Sequence, residues 1–268
     1  TQELLNSIHV TPKLIFDPFP AYAQKYLPFA MASSMESTKK GRLWTCWAGG
    51  QDGPNAYLLA SYSDDQGKSW RDPVFVIDPQ AQGLKMGTRL GSFWCDPKGR
   101  LWLFFHQSVG MFDGSCSNWY VRCDDPDAEK PVWTQPVYIG FGASLNKPNE
   151  HSVVEKQDGT LWMLSRDMKE AFQSLSTGGG KTWPSKLLLD ERHPVSYPDI
   201  AQAPNGDIYV HYDRDRGGAA EILFARFREE DVQAGKLVSK DAAPKNLVKS
   251  KAHGMIRGGA TAPTTSNE

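Results

Sequence analysis

Three arginines in this chain open or follow apolar segments and are placed to bind an anion. Arg166 and Arg214 come directly after apolar runs, and Arg89 stands at the start of another. A guanidinium binds a carboxylate or a sulfate through paired N–H donors, and it stays charged at physiological pH. Cations from three separate segments therefore suit an anionic ligand, such as the carboxylate or sulfate of a sugar.

Other polar side chains occupy the same kind of position. They stand where predicted strands start or end: Asn146, Lys147, Glu150, His151, Tyr197 and Asp199 at starts, and Asp52, His106, Gln107, Asp167, Asp213, Asp215 and Arg216 at or just beyond ends. The alternative is that these are ordinary polar loop ends. In that case Asp213, Asp215 and Arg216 form only a local surface cluster of ion pairs. His106 and His151 then act only as hydrogen-bonded wall residues.

A short hairpin motif recurs and supplies the strands that would position these side chains. Each copy has a glycine, any residue, Leu or Ile, and then Trp or Tyr. The copies are Gly41-Arg42-Leu43-Trp44, Gly99-Arg100-Leu101-Trp102, Gly159-Thr160-Leu161-Trp162 and Gly206-Asp207-Ile208-Tyr209. Polar turn residues precede each glycine, and apolar segments flank each turn. The pattern predicts two antiparallel strands joined by a tight turn in which glycine takes a positive φ.

A second turn motif has the spacing S-x-D-x-G-x-x-W. Ser63, Asp65, Gly67 and Trp70 occupy its fixed positions, between plausible strands at 56–62 and 73–77. The carboxylate can accept hydrogen bonds from N–H groups of its own turn, and glycine accepts the positive φ that closes it. The tryptophan can fold back as an apolar plug. A weaker copy at residues 176–183 has glycine in place of the aspartate.

The two hairpins together give four antiparallel strands in every ~40–60 residues, which is typical of a β-propeller blade. We predict an all-β fold, a single propeller of four four-stranded blades over residues 1–251. The blades are expected near 29–80, 87–141, 146–190 and 195–250, and residues 10–17 are expected to complete the last blade. Helix is predicted only at 229–234, and 252–268 is predicted to be a poorly ordered tail.

Blade geometry brings the polar positions together. If the first strand of each blade starts on one face of the ring, its second strand ends on that face, near the axis. Strand starts and strand ends therefore converge on one central depression. Three tryptophans, Trp94, Trp119 and Trp133, are expected to pack between blades rather than to bind sugar.

The two turn motifs, with the segments 195–199 and 212–216, resemble the sialidase-like family of Asp-box propellers, from about residue 10 to residue 250. That family usually has six blades, so the chain looks like a shortened relative that lacks about two. The resemblance implies a glycoside hydrolase that acts on a sialic acid or uronic acid at the end of a glycan. It implies no cofactor, and no residue spacing in the chain indicates a metal site.

The resemblance also implies catalytic roles. Tyr197 stands where the family has its nucleophile, and Asp52 stands in the loop that carries the acid/base. Glu150 is the candidate for the carboxylate that takes the tyrosine proton. Attack by a neutral tyrosine avoids bringing a carboxylate up to an anionic substrate.

The substrate-binding set is less complete. Arg166 and Arg214 would be two of the family's three carboxylate-binding arginines, and the predicted set also contains Arg89, His151 and Asp199. The family's first arginine has no counterpart at residues 29–33. Arg89 is the candidate to replace it.

Two other functions stay open. A polysaccharide lyase on a uronate-containing glycan would need a cation beside its acid and base, which Arg214, Tyr197, His151 and His211 could supply. A noncatalytic sugar-binding propeller is favoured by the missing arginine and the missing blades. The sequence does not name the glycan.

Composition sets broad limits on the partners. The chain has 268 residues with 40% hydrophobic content, enough for a sizeable core, and a formal net charge of −1. That charge gives no overall attraction to nucleic acid, and no apolar run approaches the ~20 residues of a membrane span. No secretory signal is visible, although a secreted or periplasmic location is favoured. Cys116 and Cys123 either form a bridge or stay as free thiols.

Overall fold

A computed structural model gives the fold. It describes residues 9–110, 115–141 and 185–257 in full, together with Ser7, and only the backbone of residues 151–155, 161–166 and 171–176. Across these ranges the chain is almost entirely β-structure, and its strands form four antiparallel sheets. The predicted all-β class is confirmed.

The four sheets follow one another along the chain. The first has β1 (Leu14–Phe16), β2 (Met31–Ser37), β3 (Leu43–Gly49), β4 (Tyr57–Ser63) and β5 (Phe75–Ile77), in the order β1-β5-β4-β3-β2. The second has β6 (Gly91–Cys95), β7 (Leu101–Ser108), β8 (Cys116–Cys123) and β9 (Val137–Phe141). The third has β10 (His151–Glu155), β11 (Leu161–Arg166), β12 (Ala171–Ser176) and β13 (Ser185–Asp190). The fourth has β14 (Val195–Gln202), β15 (Ile208–Arg214), β16 (Glu221–Phe227), β17 (Ala243–Ser250) and β18 (Gly254–Met255).

Helix is scarce in the described ranges, as predicted. A helix, α1 (Glu229–Ala234), covers the predicted segment and lies against β13. A short 3-10 helix spans Pro79–Gln82. No helix in the described part of the chain has the length and apolar character needed to cross a membrane.

The repeated glycine hairpin is confirmed in three sheets. Gly41, Gly99 and Gly206 have φ values of 89°, 85° and 86°. Each donates its N–H to the carbonyl three residues earlier, at 3.0, 2.8 and 2.9 Å. The three turns join β2 to β3, β6 to β7 and β14 to β15. The third copy of the turn, at 156–160, lies outside the described residues.

The motif at residues 63–70 forms a closed polar turn. The Asp65 carboxylate accepts hydrogen bonds from the Ser69 N–H at 2.8 Å and from its hydroxyl at 2.6 Å. The Ser63 hydroxyl donates to the same carboxylate and accepts from the Gly67 N–H at 2.9 Å. Burial acts to raise the pKa of Asp65, but these hydrogen bonds hold it below its usual value. Of the weaker copy at 176–183, only the backbone of Ser176 belongs to the described part of the chain.

Trp70 links the first sheet to the fourth. Its side chain is buried, and its ring meets the Phe224 ring edge-on at 6.0 Å. The backbone N–H of Trp70 donates to the carbonyl of Ile256 at 2.8 Å. The predicted apolar plug is therefore present, and it fills the space between two sheets.

The N-terminal strand has a different partner from the predicted one. β1 pairs with β5 of the first sheet, with Leu14 opposite Ile77, so the prediction that it completes the last blade is wrong. The fourth sheet obtains its outer strands β17 and β18 from the segment that follows α1. Two of the sheets consequently have five strands, where four were predicted. β18 and the buried Ile256 also continue the sheet beyond residue 251, into the segment predicted to be a tail.

Strands β2, β6 and β14, each of which precedes a glycine turn, contact strands of other sheets. β2 lies against β6 on one side and β14 on the other, and β14 also lies against β11. Trp133 packs edge-on against Trp44 and Phe75, which fills the space between the first two sheets. Trp119 is buried too, but Trp94 is 49% exposed, so packing between sheets holds for two of the three tryptophans. Closure into a four-bladed ring remains a prediction.

The four cysteines are free thiols. Cys116 and Cys123 stand at opposite ends of β8. An eight-residue strand is roughly 25 Å long, far beyond the span of a disulfide.

Candidate functional site

Tyr197 occupies a distorted position in β14. The pairing of β14 with β15 shifts register between Ser196 and Asp199, and Tyr197 lies within the shift with φ 51°. A non-glycine residue in the left-handed region is strained, and such strain is concentrated at functional sites. The ring is half-buried, against the core between the first and fourth sheets.

Arg216 lies directly over this tyrosine. The guanidinium carbon is 4.2 Å from the centre of the Tyr197 ring. Nε donates to both carboxylate oxygens of Asp213, at 3.1 and 3.2 Å, and Nη2 donates to the Ser196 hydroxyl at 2.7 Å. Its backbone carbonyl accepts from the Ala30 N–H at 3.1 Å. The arginine is thus held in one orientation.

Asp213 is the buried carboxylate that holds Arg216. Besides the guanidinium it accepts the Ala32 N–H at 3.0 Å and the Ser196 hydroxyl at 2.6 Å. Burial raises the pKa of Asp213 to about 6, although Arg216 and these hydrogen bonds act to lower it. This carboxyl therefore titrates close to neutrality.

Asp52 reaches the same arginine from the first sheet. It follows β3 in a loop that begins at Gly50, where φ is 84°. One of its oxygens is 3.7 Å from Nη1 of Arg216, and the side chain is 39% exposed. Two of the three residues predicted to be catalytic, Tyr197 and Asp52, are brought together in this way by one arginine.

Arg214 faces another partner. Its Nη1 donates to Glu221 at 2.8 Å, across the β15–β16 ladder. Arg192 adds a second cation 3.7 Å from the same carboxylate, and it also binds Asp190 through two N–H groups. Arg214 is thus part of an internal ion-pair cluster.

Arg89 is also turned inward. It is buried, and one terminal nitrogen donates to the Ser108 hydroxyl at 3.1 Å and to the Gly110 carbonyl at 2.9 Å. His106, at the end of the same hairpin, is buried as well. Burial, with a smaller effect from Arg89, lowers the pKa of His106 to about 4, so it is neutral at physiological pH.

Asp199 ties two sheets together. Its carboxylate accepts the Ser34 hydroxyl and the Met35 N–H, each at 2.8 Å, which joins β14 to β2. Burial raises the pKa of Asp199 above its usual value. On the neighbouring strand, His211 is fully buried and its Nε2 lies 2.9 Å from the Thr45 hydroxyl. Burial lowers the pKa of His211 to about 3.

Two of the remaining predicted residues, His151 and Arg166, belong to strands of the third sheet. His151 is the first residue of β10 and pairs with Ser165, and Arg166 ends β11. Their side chains, and the whole of Glu150, lie outside the described residues.

Ser196 was not among the predicted residues, whereas Arg216 and Asp213 were predicted to lie at the central depression, with a local ion-pair cluster as the alternative. Ser196 and Asp213 are directly opposite in the β14–β15 ladder. Counting outward from the glycine turn at 203–206 places these two strand ends near each other. The hairpin pattern therefore contained the signal for Ser196 and Asp213. The signal for the register shift at Tyr197 is Pro198, since a proline within a strand is typical of a bulge.

The site consists of a cation, a phenol, a hydroxyl and two carboxylates. It can bind an anion at the arginine, and it presents a phenol and an exposed carboxylate beside it. No group of three or more His, Cys, Asp or Glu side chains in the described ranges is arranged to hold a metal ion.

Comparison with known proteins gives structural similarity only. No protein-family model and no curated protein matches the sequence. A Hadza microbial sialidase has a TM-score of 0.36 and 17% identity, over 76% of this chain and 45% of that one. A GH43 endo-arabinanase from Bacillus licheniformis has a TM-score of 0.34 and 13% identity, over 90% and 81%. A Trypanosoma rangeli sialidase has a TM-score of 0.36 and 13% identity, over 75% and 36%.

These values describe remote similarity. The chain spans less than half the length of the Hadza sialidase and of the Trypanosoma sialidase. Similarity at this level does not set a substrate or a reaction.

Proposed function

We propose that this protein is a carbohydrate-active propeller that binds an acidic sugar at Arg216 and hydrolyses its glycosidic bond in the manner of a sialidase. The observation that carries the proposal is the stacking of the Arg216 guanidinium on Tyr197, with Asp52 on the same arginine. A fixed cation, a phenol and an exposed carboxylate are the parts that such a reaction requires.

The binding step follows from the donors of Arg216. A guanidinium has five N–H groups, and the hydrogen bonds to Asp213 and Ser196 use two of them. The terminal nitrogens keep N–H groups for a ligand carboxylate or sulfate. Arg166 is proposed as a second ligand-binding arginine, because Arg89 and Arg214 bind partners within the protein.

The proposed chemistry uses two steps. The Tyr197 oxygen attacks the anomeric carbon while the carboxylic acid of Asp52 gives its proton to the departing glycosidic oxygen, and Glu150 takes the phenol proton. Water then attacks the anomeric carbon and Asp52 takes a proton from the water, while Tyr197 leaves and recovers its proton from Glu150, so that it is released as a phenol. Glu150 has this role by resemblance alone.

Noncatalytic binding is a second candidate, with one observation in its favour. Two of the predicted binding arginines, Arg89 and Arg214, are occupied by internal partners, which weakens a three-arginine clamp. The lyase alternative has less support, since His211, one of its proposed proton carriers, is fully buried against Thr45.

Turnover of two substrates separates these candidates. Methylumbelliferyl sialoside and methylumbelliferyl glucuronide are incubated with the protein and with Asp52→Asn. Release of the fluorophore by the parent, lost in the variant, supports hydrolysis. In a parallel incubation with a 4-linked uronate-containing oligosaccharide, an unsaturated product that absorbs in the ultraviolet would indicate a lyase. If calorimetry detects binding of sialic or glucuronic acid and no product forms, the noncatalytic function is supported.

A further inference from the structure

The charges around Arg216 do not balance. Two carboxylates, Asp213 and Asp52, lie on this one guanidinium, at 3.1 Å and 3.7 Å. With both carboxylates ionised, the three groups carry one net negative charge. An incoming sugar carboxylate would add a second, so binding is opposed by like charge at the point where Arg216 should favour it.

We propose that Asp213 is a positioning residue which takes up a proton when an acidic sugar binds to Arg216. This inference rests on the proposed function, and it goes further by linking the affinity of the site to pH. Once Asp213 is neutral, the three groups have no net charge, and the cation is available to the ligand.

The hydrogen bonds around Asp213 can accommodate that proton. The Ser196 hydroxyl donates to Asp213 at 2.6 Å and accepts from Arg216 at 2.7 Å. A hydroxyl can donate or accept, so Ser196 can accept a hydrogen bond from a protonated Asp213 after its own hydrogen turns away. The Ala32 N–H still has the other carboxyl oxygen as its acceptor.

The groups that contact Asp213 directly do not compete for the proton, whereas Asp52, 3.7 Å from Arg216, needs a proton of its own for the cleavage step. On the strand of Asp213, His211 faces the same side two residues earlier and is neutral, because burial lowers its pKa to about 3. Asp213 also faces the Ser196 hydroxyl of β14, the Ala32 N–H of β2, and Arg216 in the loop that follows β15. The adjacent Arg214 pairs with Glu221 instead. Burial raises the pKa of Asp213 to about 6, so the proton is accessible near neutrality.

Calorimetry on the intact protein tests the coupling. Sialic acid and glucuronic acid are titrated at several values between about pH 5 and about pH 8, in pairs of buffers with different ionisation enthalpies. We expect the affinity of the parent to weaken about tenfold as the pH rises through this range, since a one-unit change in a coupled pKa gives that factor. We also expect proton uptake on binding near neutral pH. Proton uptake is measured on the parent protein, so this result does not depend on whether a variant folds.

Three variants locate the effect. Asp213→Asn imitates the protonated carboxyl, and should bind near neutrality as tightly as the parent binds at low pH, with no pH dependence. Ser196→Ala should weaken binding and reduce the proton uptake. Asp124→Asn makes the same charge change on an exposed carboxylate paired with Arg122, and should behave like the parent.

The possible failures are distinct. Binding by the parent that is independent of pH, or an Asp213→Asn variant with the parent's pH dependence, would overturn this inference and leave the proposed function standing. Uniformly weak binding of Asp213→Asn at every pH, with no proton uptake by the parent, would give Asp213 a purely structural role. Absence of binding to either acid at any pH would overturn both proposals.

Discussion

The guanidinium of Arg216 lies 4.2 Å from the centre of the Tyr197 ring, and Tyr197 itself is in the left-handed region with φ 51°. A cation over an aromatic ring is attracted by the negative face of the ring, which helps to offset the strain of that backbone. The same contact brings a positive charge to a half-exposed phenol. Binding and chemistry are therefore expected to depend on different atoms of one stacked pair.

Replacing Tyr197 by Phe removes the oxygen and keeps the ring. If Tyr197 is the nucleophile, the turnover number should fall by orders of magnitude, because no other described group is placed to form the glycosyl intermediate. The affinity for sialic acid should change little, since the stacked ring and Arg216 remain. Unfolding stability should stay within about 1 kcal/mol. Steady-state kinetics and calorimetry on the variant check this, and a variant as active as the parent would rule Tyr197 out.

Replacing each of two arginines by Lys separates binding from structure. Arg216→Lys keeps a charge but loses the fork that joins Asp213, Ser196 and the ligand, so the affinity for an acidic sugar should fall by roughly 10–100-fold. Arg214→Lys should change that affinity by no more than a few-fold, because its partner is Glu221. The matched pair is measured by calorimetry. An equal loss in both variants would contradict the assignment of Arg216 as the ligand-binding arginine.

Local chemistry allowed much of this fold to be predicted. The glycine hairpins were recognisable because only a residue that tolerates positive φ can close the turn, and Gly41, Gly99 and Gly206 all do so. The apolar segments on either side of each turn then indicated the strands, and the four copies of the motif indicated the four sheets and their order along the chain. The position of Asp52 after β3 followed from the same hairpin geometry.

Long-range pairing was the part that the sequence did not reveal. The outer strand β1 pairs with β5, and the local pattern of Leu14 to Phe16 fits any open sheet edge equally well. The roles of Arg89 and Arg214 depend on the direction of long side chains, which spacing does not set. The register shift at Tyr197 did have a local signal, which the hairpin pattern does not include: Pro198 lies within the shift, and a proline cannot donate to a β-ladder.

Gly67 is predicted to be required for two separate reasons. Its φ is 84°, and a Cβ there would lie 2.3 Å from the Phe224 ring. Gly67→Ala should therefore add a steric clash between the first and fourth sheets to the backbone strain. Gly41→Ala is the matched control, since φ is 89° and nothing lies within 4 Å of its Cβ.

We expect Gly41→Ala to cost about 1–2 kcal/mol of unfolding free energy, from the left-handed backbone alone. Gly67→Ala should cost about 1–3 kcal/mol more, from overpacking against Phe224. Urea denaturation of both variants gives the difference. Equal losses would show that the turn moves away from Phe224 without cost.

Lys249 is a buried amine without a carboxylate partner in the described part of the chain. It lies in β17 with no exposed surface, and Nζ donates to the carbonyls of Tyr26 and Leu27 at 3.1 and 3.3 Å. It therefore ties the fourth sheet to the segment that leads into β2. Burial lowers the pKa of Lys249 to about 7.

This low pKa predicts a rise in stability with pH. In the unfolded chain the same amine has a pKa of about 10.4, so between about pH 7 and that value the unfolded state binds more protons than the folded state. The free energy of unfolding should then increase with pH by roughly 1 kcal/mol per pH unit above about pH 7, and the contribution of Lys249 should not change with pH below that value.

Lys249→Met should remove the slope, because methionine fills the site without a titrating group. Lys251→Met makes the same change at an exposed position two residues later and should keep the slope. Urea denaturation between about pH 6 and about pH 9 measures all three proteins, and a slope that persists in Lys249→Met would show that another group is responsible.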